Sequence, residues 1–341
     1  MARGRAPVAG RPAAVARRGD PMSDPPASTP GADLLIQLAG GRPPETAEDM
    51  RRLLDVFGAL LNTDLPEVGA LHEGVLVREA GGRRVTADVV VPKGAGPHPV
   101  LVYLHGGGWV CGSPRTHRKL AHRFAEAGYL VFNVDYRLAP ESPFPAPLDD
   151  CVEAIRFAAR EAARYGGDAT RLAIGGDSAG GNLSAAAAAV LADDPDGPEI
   201  AAALLIYGVF DFAALGEGVT AAATPAEGPF AGMAEMGEKL VELMVGAYLG
   251  ASRPPELLAD PRVSPLHAAH KLPPSHVVVG TQDPLVAQAE SLVARLREAG
   301  VEHEYVVVPD MPHGFVQMEF FPQARQSIDR MVAFLRKHVG G

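Results

Sequence analysis

Short apolar segments and longer helix-like segments alternate along this chain from residue 99 onward, and this alternation limits the fold more than any other feature. Residues 100–104 and 130–134 are short, almost wholly apolar runs, as expected for strands that are buried on both faces. Longer segments with one apolar face separate such runs. Strands that alternate with helices form a mostly parallel sheet with helices on both faces, so the sequence predicts an α/β fold.

The predicted elements follow in a regular order. Strands are predicted over residues 75–80, 85–92, 100–104, 130–134, 172–175, 203–207, 277–279 and 305–308. Helices are predicted over residues 47–61, 117–127, 147–165, 182–191, 236–248, 285–299 and 324–338. Gly81 and Gly82 indicate a hairpin between the first two strands, which would add an antiparallel edge to the sheet.

Two parts of the chain depart from the alternation. Residues 210–262 are rich in Ala, Gly, Pro and Met, and an insertion of this kind usually covers a functional site. We expect it to form a cap, together with about residues 31–70, on one catalytic domain that spans residues 31–341. Residues 1–30 carry five arginines and are interpreted as a disordered N-terminal extension. A transit peptide, or a true start at Met22, remains an alternative.

Charge and composition exclude several classes of protein. The net charge is −10, with no basic stripe after residue 20, which argues against a nucleic-acid partner. No segment approaches the ~18 uninterrupted apolar residues of a membrane helix. Cys111 and Cys151 have neither the pattern of a disulfide framework nor metal-ligand spacing, so we expect both to be reduced, in a cytoplasmic protein.

A G-x-S-x-G motif, Gly176-Asp177-Ser178-Ala179-Gly180, lies between the strand predicted at 172–175 and the helix predicted at 182–191. A serine on a sharp turn between strand and helix is presented at the edge of the sheet, and its neighbours must be small because the turn is tight. A serine hydroxyl needs a base within hydrogen-bond reach and a group that orients the base. The motif therefore predicts Ser178 as a nucleophile.

The base and its orienting acid are predicted from position. His313 follows the strand at 305–308, and Asp283 follows the strand at 277–279. Like Ser178, both come after strand ends, which meet at one edge of a parallel sheet. The chain order serine, acid, histidine is that of α/β-hydrolases. Asp310 is the main rival for the acid and Asp260 a weaker one, while the other histidines are each interpreted as structural or surface residues.

His105-Gly106-Gly107-Gly108 follows the strand at 100–104 and predicts an oxyanion hole. Glycines there let backbone N–H groups point at a substrate, and we assign the N–H groups of Gly107, Gly108 and Ala179. A glycine-rich turn without a catalytic task is the alternative. For Asp177 we favour a structural role over sensing the charge of the base.

Five motifs together resemble the hormone-sensitive-lipase-like esterases, the bacterial family IV carboxylesterases, over roughly residues 70–341. They are His105-Gly106-Gly107-Gly108-Trp109, Gly176-Asp177-Ser178-Ala179-Gly180-Gly181, Tyr136-Arg137-Leu138-Ala139-Pro140-Glu141, Asp283-Pro284-Leu285 and His313-Gly314-Phe315. Asp260-Pro261-Arg262-Val263-Ser264-Pro265 is similar to the family's return from cap to core. The resemblance implies the α/β-hydrolase fold, a Ser178–His313–Asp283 triad and short-chain ester substrates.

The same resemblance implies no cofactor and no metal, and many members of the family are dimers, so a homodimer is a possible assembly. It also implies that Arg137 and Glu141 brace the oxyanion loop from behind. One departure concerns the segment after Asp283, which reads Pro-Leu-Val-Ala-Gln where the family often has further acids. In the cap, Met233, Met236 and Met244 are interpreted either as an adaptable apolar pocket or as ordinary helix packing.

The leading hypothesis is a serine carboxylesterase that acts on small, short-acyl esters through an acyl-enzyme. A dedicated deacetylase, lactonase or amide hydrolase with the same triad is the alternative within this fold. A ligand-binding protein without catalysis is the hypothesis from another class, and the presence of Ser178, Asp283 and His313 together argues against it.

Overall fold

The computed structural model describes residues 44–215 and 233–340, and for residues 233–238 it describes the backbone only. One eight-stranded sheet runs through this part of the chain. The strands are β1 (Ala70–Ala80), β2 (Arg83–Val91), β3 (His98–Leu104), β4 (Leu130–Asp135), β5 (Gly167–Asp177), β6 (Ala202–Ile206), β7 (Ser275–Gly280) and β8 (His303–Val308). Their order in the sheet is β1-β2-β4-β3-β5-β6-β7-β8. β2 runs antiparallel to β1 and β4, and all other pairs are parallel. The predicted α/β fold with an antiparallel edge is confirmed.

Helices connect the parallel strands. They are α1 (Ala47–Leu61), α2 (Arg118–Glu126), α3 (Ala146–Glu161), α4 (Ala179–Ala192), α5 (Met233–Leu249), α6 (Pro255–Leu258), α7 (Val286–Glu298) and α8 (Pro322–Val339). Each of the predicted helices is present within a few residues of its expected bounds. In the described part of the chain, none is both long and apolar enough to cross a membrane.

The differences from the predicted bounds have local causes. The helix predicted over 147–165 ends at Glu161 and continues as a 3-10 turn, Ala162–Tyr165, which Gly166 closes in a left-handed conformation with φ 77°. β1 begins at Ala70 rather than at residue 75. Its first residues include exposed polar side chains, as expected for an edge strand, so no apolar pattern marks them.

The core lies on both faces of the central strands. Every residue of β3, β6 and β7 is buried. α4, which follows β5 directly, is buried along nearly its whole length, and its alanines let it pack closely against α3 and the sheet. Because β3, β5, β6, β7 and β8 are parallel, their carboxyl ends meet at one edge of the sheet, and the loops that follow them lie side by side.

Two helices outside the alternating core pack against each other, α1 and α5. α1 begins with a capping box in which Thr46 and Asp49 exchange hydrogen bonds. Asn62, which ends the helix, donates to the backbone oxygen of Thr116 at 2.8 Å. The expected extension at residues 1–30 lies outside the described residues, and so do residues 216–232 of the expected cap.

Candidate active site

Ser178 occupies a strained turn between β5 and α4. Its φ and ψ are 54° and −119°, a conformation that a non-glycine residue adopts only where the surroundings enforce it. Its N–H donates to the backbone oxygen of Ile206 at 2.8 Å. A Cβ on either Gly176 or Gly180 would overlap the backbone oxygen of Leu104. Glycine at both positions is therefore required by the approach of β3, which is the structural reason for the G-x-S-x-G motif.

The three predicted catalytic side chains lie together at the carboxyl edge of the sheet. Nε2 of His313 lies 2.9 Å from Oγ of Ser178, and Nδ1 of His313 lies 2.8 Å from Oδ2 of Asp283. Both distances are within hydrogen-bond range. Residues that are 135 and 30 positions apart in sequence thus form a continuous serine–histidine–carboxylate chain.

The surroundings of His313 hold its ring in this orientation. The side chain of Asp283 is fully buried and also accepts from the N–H of Leu285 at 2.8 Å. The buried ring of Tyr207 meets the imidazole edge to face, with 4.9 Å between ring centres. Burial lowers the pKa of His313, but the charge and hydrogen bond of Asp283 outweigh this and raise the pKa above its usual value.

The rival acids are placed elsewhere. Asp310 is exposed, and its backbone N–H donates to Oγ1 of Thr281 at 2.8 Å. The carboxylate of Asp260 forms an ion pair with Arg262 at 2.6 Å. Among the three candidate acids, Asp283 alone is hydrogen-bonded to His313 in the described chain.

The loop after β3, residues 105–111, is called the glycine loop below. Three consecutive residues have positive φ, namely 126° at Gly107, 58° at Gly108 and 62° at Trp109. The oxygen of Gly107 accepts from the N–H groups of Val110 and Cys111 at 3.1 and 3.0 Å, which closes a tight turn.

In the described part of the chain, the N–H groups of Gly107 and Gly108 donate to no protein acceptor. The N–H of Ala179 is the first of α4 and has no partner within the helix. The three donors that the sequence suggests for the oxyanion hole are thus uncommitted; two lie in the glycine loop and the third directly follows Ser178. This arrangement suits the binding of a negative oxygen.

Asp177 lies beneath the glycine loop, 2% exposed. Its Oδ1 accepts from the hydroxyl of Tyr103 at 2.8 Å and from the N–H of Gly106 at 3.0 Å. Nε2 of His117 and Nε2 of Gln317 lie within 3.3 Å of Oδ2. Burial raises the pKa of Asp177, but the charge of His117 and these hydrogen bonds outweigh it and lower the pKa to about 2. These contacts support the structural role favoured for Asp177.

His105 is also a structural part of the loop. Its ring is fully buried and stacks on Tyr136 with 4.2 Å between ring centres. Burial and the charge of neighbouring His117 lower the pKa of His105 to about 3, so the ring is neutral at physiological pH. The hydroxyl of Tyr136 donates to the oxygen of His105 at 2.7 Å. Cys111 is buried, and burial raises the pKa of its thiol to about 12, so the thiol stays protonated near neutral pH.

The expected bracing by Arg137 and Glu141 needs one correction. In the described chain, Arg137 forms no hydrogen bond with the glycine loop: its guanidinium binds the buried carboxylate of Asp150 at 2.6 and 2.8 Å. A buried carboxylate attracts the nearest guanidinium strongly, and Asp150 is fully buried. Glu141 does act behind the loop, but through Arg51 of α1, a residue that the sequence did not single out.

Two buried amides were also missed, and both hold the ends of the 210–262 insertion. Asn182, one turn after Ser178, donates to the oxygens of Val209 and Val263 at 2.9 Å each, and accepts from the indole of Trp109 at 3.2 Å. Gln288, where the family often has acids, accepts from the N–H groups of residues 210 and 211. For Asn182 the available signal was an amide in a helix of small and apolar residues, because buried amides are kept only where they are hydrogen-bonded, whereas the helix of Gln288 has other polar residues and gave no such signal.

Within the two described ranges, no group of three or more His, Cys, Asp or Glu side chains is placed to hold a metal ion. The side chain of Met244, on α5, touches Gly108, so that a Cβ on that glycine would overlap its thioether. Of the three methionines in the expected cap, Met244 therefore lies directly at the glycine loop. The side chains of Met233 and Met236 lie outside the described part.

The sequence of this chain is similar to those of known hydrolases. Residues 101–317 match the family model for the alpha/beta hydrolase fold. Carboxylesterase NlhH of Mycobacterium tuberculosis is 35% identical over 249 residues, 70% of this chain and 73% of the relative. Ethyl acetate hydrolase of Pseudomonas putida is 32% identical over 243 residues, 70% of this chain and 73% of the relative.

Solved structures agree with the sequence comparison. A crystal structure of an esterase from the bacterial hormone-sensitive lipase family has a TM-score of 0.73 and 36% identity to this chain, and covers 92% of this chain and 100% of its own.

Proposed function

The chain belongs to the α/β-hydrolase fold family and is a carboxylesterase of the hormone-sensitive-lipase type, and on this basis we propose that Ser178, His313 and Asp283 are its catalytic triad. The observation that carries the proposal is the unbroken hydrogen-bond chain of 2.9 and 2.8 Å from Oγ of Ser178 through His313 to buried Asp283. A serine so placed has a base in reach, and the base has an orienting partner.

The reaction begins with attack of Ser178 Oγ on the carbonyl carbon of a bound ester. Nε2 of His313 accepts the hydroxyl proton, and the imidazolium that forms is stabilised by the carboxylate of Asp283. The carbonyl oxygen becomes negative and is bound by the N–H groups of Gly107, Gly108 and Ala179. The His313 imidazolium then returns the proton to the leaving alcohol, which departs as the C–O bond breaks.

The resulting acyl-enzyme is hydrolysed by the same groups. Water takes the place of the alcohol, and His313 removes its proton as the oxygen attacks the acyl carbon. The second tetrahedral oxyanion occupies the same three N–H groups. Collapse returns the proton from His313 to Ser178 and releases the acid, so that the enzyme is restored without any cofactor.

The substrate that we propose is a small ester with a short acyl chain. Met244 touches Gly108 and leaves little room next to the oxyanion donors. Similarity to the ethyl acetate hydrolase of Pseudomonas putida supports a small ester. We propose that α1 and the 210–262 insertion form the cap that encloses it. The cytoplasmic location and the homodimer stay predictions.

The test is hydrolysis of p-nitrophenyl esters from acetate to dodecanoate by the wild type and by Ser178→Ala. We expect turnover to be fastest with the shortest chains and to fall by about 10⁴-fold or more in the variant, because the nucleophile is removed. A variant that keeps most of its turnover would show that Ser178 is not the nucleophile. An acetyl ester, lactone and anilide series then separates the esterase from the dedicated hydrolases, by kcat/KM ratios.

A further inference from the structure

The donors of the proposed oxyanion hole belong to a loop whose shape is not maintained by regular secondary structure. Gly107, Gly108 and Trp109 follow one another with positive φ, and backbone held in such conformations persists only when its surroundings fix it. The donors must also stay within a fraction of an ångström of their productive positions, because oxyanion binding depends steeply on distance. Contacts to the outer side of the glycine loop therefore bear on catalysis.

One side chain from outside the core makes such a contact. Arg51, on α1, donates from Nε to the oxygen of Val110 in the glycine loop at 2.9 Å. Its Nη2 donates to the oxygen of Ala139 at 3.0 Å. The N–H of Ala139 in turn donates to the oxygen of Trp109 at 2.9 Å. The guanidinium thus closes a ring of contacts that joins the glycine loop to the segment before Glu141.

Glu141 holds the guanidinium in this position. Its two carboxylate oxygens accept from Nη1 and Nη2 of Arg51 at 2.8 and 2.6 Å. This bidentate pair fixes the plane of the guanidinium, which directs Nε at the glycine loop. The hydrogen bond of Arg51 lowers the pKa of Glu141 to about 2, so the pair is ionised near neutral pH. A lysine could supply the charge but not four hydrogen bonds in one plane.

We propose that Arg51 is a positioning residue of the esterase reaction, through which the N-terminal helix α1 sets the geometry of the oxyanion donors. It touches neither substrate nor triad and acts through the oxygen of Val110. The inference rests on the proposed function, because it assigns the glycine loop to the oxyanion.

The alternative is that Arg51 only fastens α1 to the body of the protein. α1 has other attachments for that purpose. The side chain of Asn62 forms two hydrogen bonds with the backbone at the start of α2: it donates to the oxygen of Thr116 at 2.8 Å and accepts from the N–H of Lys119 at 2.5 Å. Gly58 packs against Thr116 so closely that a Cβ would lie 3.0 Å from it. Removal of Arg51 should therefore leave α1 in place and the protein folded.

The experiment compares Arg51→Met, Arg51→Lys and Glu141→Gln in the full chain, with Arg52→Met as the matched control. Arg52 is the next residue of α1, its side chain is half exposed, and within the described residues its ion-pair partners, Glu48 and Asp49, lie on the same helix. Steady-state kinetics are measured with ethyl acetate and p-nitrophenyl acetate. A p-nitrophenyl phosphonate serves as the probe of Ser178: its end point counts competent sites, and its rate reports oxyanion binding.

We expect Arg51→Met to lower kcat by about 10- to 100-fold with KM within about twofold, since the oxyanion donors are displaced rather than deleted. The phosphonate rate should fall by a similar factor, while its end point stays at one per chain. Arg51→Lys should recover only a small part of the loss. Glu141→Gln should lose less than Arg51→Met, because the contacts to the two backbone oxygens remain, and Arg52→Met should match the wild type.

A kcat for Arg51→Met within twofold of the wild type, full activity of Arg51→Lys, or an equal loss in Arg52→Met would each overturn the proposal. So would a lower end point with an unchanged rate per site, which is the result of a purely structural attachment. Failure of the proposed function has a different signature: the wild type itself would not react with the phosphonate at Ser178.

Discussion

The carboxylate of Asp177 offers a quantitative test of how the glycine loop is held from below. It is 2% exposed and accepts from Tyr103 and Gly106, with His117 and Gln317 beside it. Its pKa is lowered from 3.8 to about 2 in the folded protein. At roughly 1.4 kcal/mol per pKa unit, this corresponds to about 2 kcal/mol of stability from the charged form at neutral pH.

The substitution Asp177→Asn keeps the shape and one acceptor oxygen but removes the charge, and its amide N–H₂ faces groups that donate in the wild type. We expect the free energy of unfolding at pH 7 to fall by at least about 2 kcal/mol. Asp310→Asn is the matched control. Asp310 is exposed, has φ 60° that asparagine tolerates, and should change stability by less than about 0.5 kcal/mol.

The pH dependence distinguishes the charge from the packing. Because the folded pKa is lowered, the stabilisation is complete above the unfolded value of 3.8 and is lost as the pH falls toward about 2. The stability difference between wild type and Asp177→Asn should therefore be constant from pH 7 to about 5 and shrink by about half at pH 3. Urea unfolding followed by circular dichroism at each pH measures it. A difference that matches the Asp310→Asn control, or that does not change with pH, would refute the reasoning.

Two further predictions concern the active site. Since the pKa of His313 is raised and its neutral form is the base, kcat/KM should fall as the pH drops through a midpoint above 6.5. The substitution Asp283→Asn should lower kcat by about 10⁴-fold and move that midpoint to lower pH. A pH–rate profile of the wild type and of the variant checks both expectations. Met244→Ala should raise the kcat/KM ratio of p-nitrophenyl octanoate to acetate by about 10-fold or more, because it removes the thioether beside Gly108, and an unchanged ratio would place the acyl chain elsewhere.

The residues that carry the proposed chemistry could be predicted because each follows a strand. Ser178, Asp283 and His313 come after β5, β7 and β8, and the carboxyl ends of parallel strands meet at one edge regardless of the loops between them. The glycines of the motifs were visible for a similar reason: tight turns and close backbone approach leave a mark at a single position in the sequence.

The supports of the site were not visible in this way. Arg51 reaches Glu141 across 90 residues, and Gln317 reaches Asp177 across 140. An arginine or glutamine on a helix looks the same in sequence whether its partner is water or a buried carboxylate. For Arg137 the wrong partner was expected, because the position of Asp150 on α3 is set by the packing of that helix against the sheet.

The sequence by itself determined the fold and the order of the strands and helices along the chain, because alternating apolar patterns indicate them. It also determined the proposed nucleophile, base and acid and the loop of the oxyanion donors, because short motifs and positions after strands indicate them. Only the tertiary structure decided which contacts hold them in place: the pairing of Glu141 with Arg51 on the outer side of the glycine loop, the partners of Asp177 beneath it, and those of Asn182 at the base of the insertion. Such contacts join segments that meet only after the sheet has formed, and their partners are set by packing distance rather than by sequence spacing.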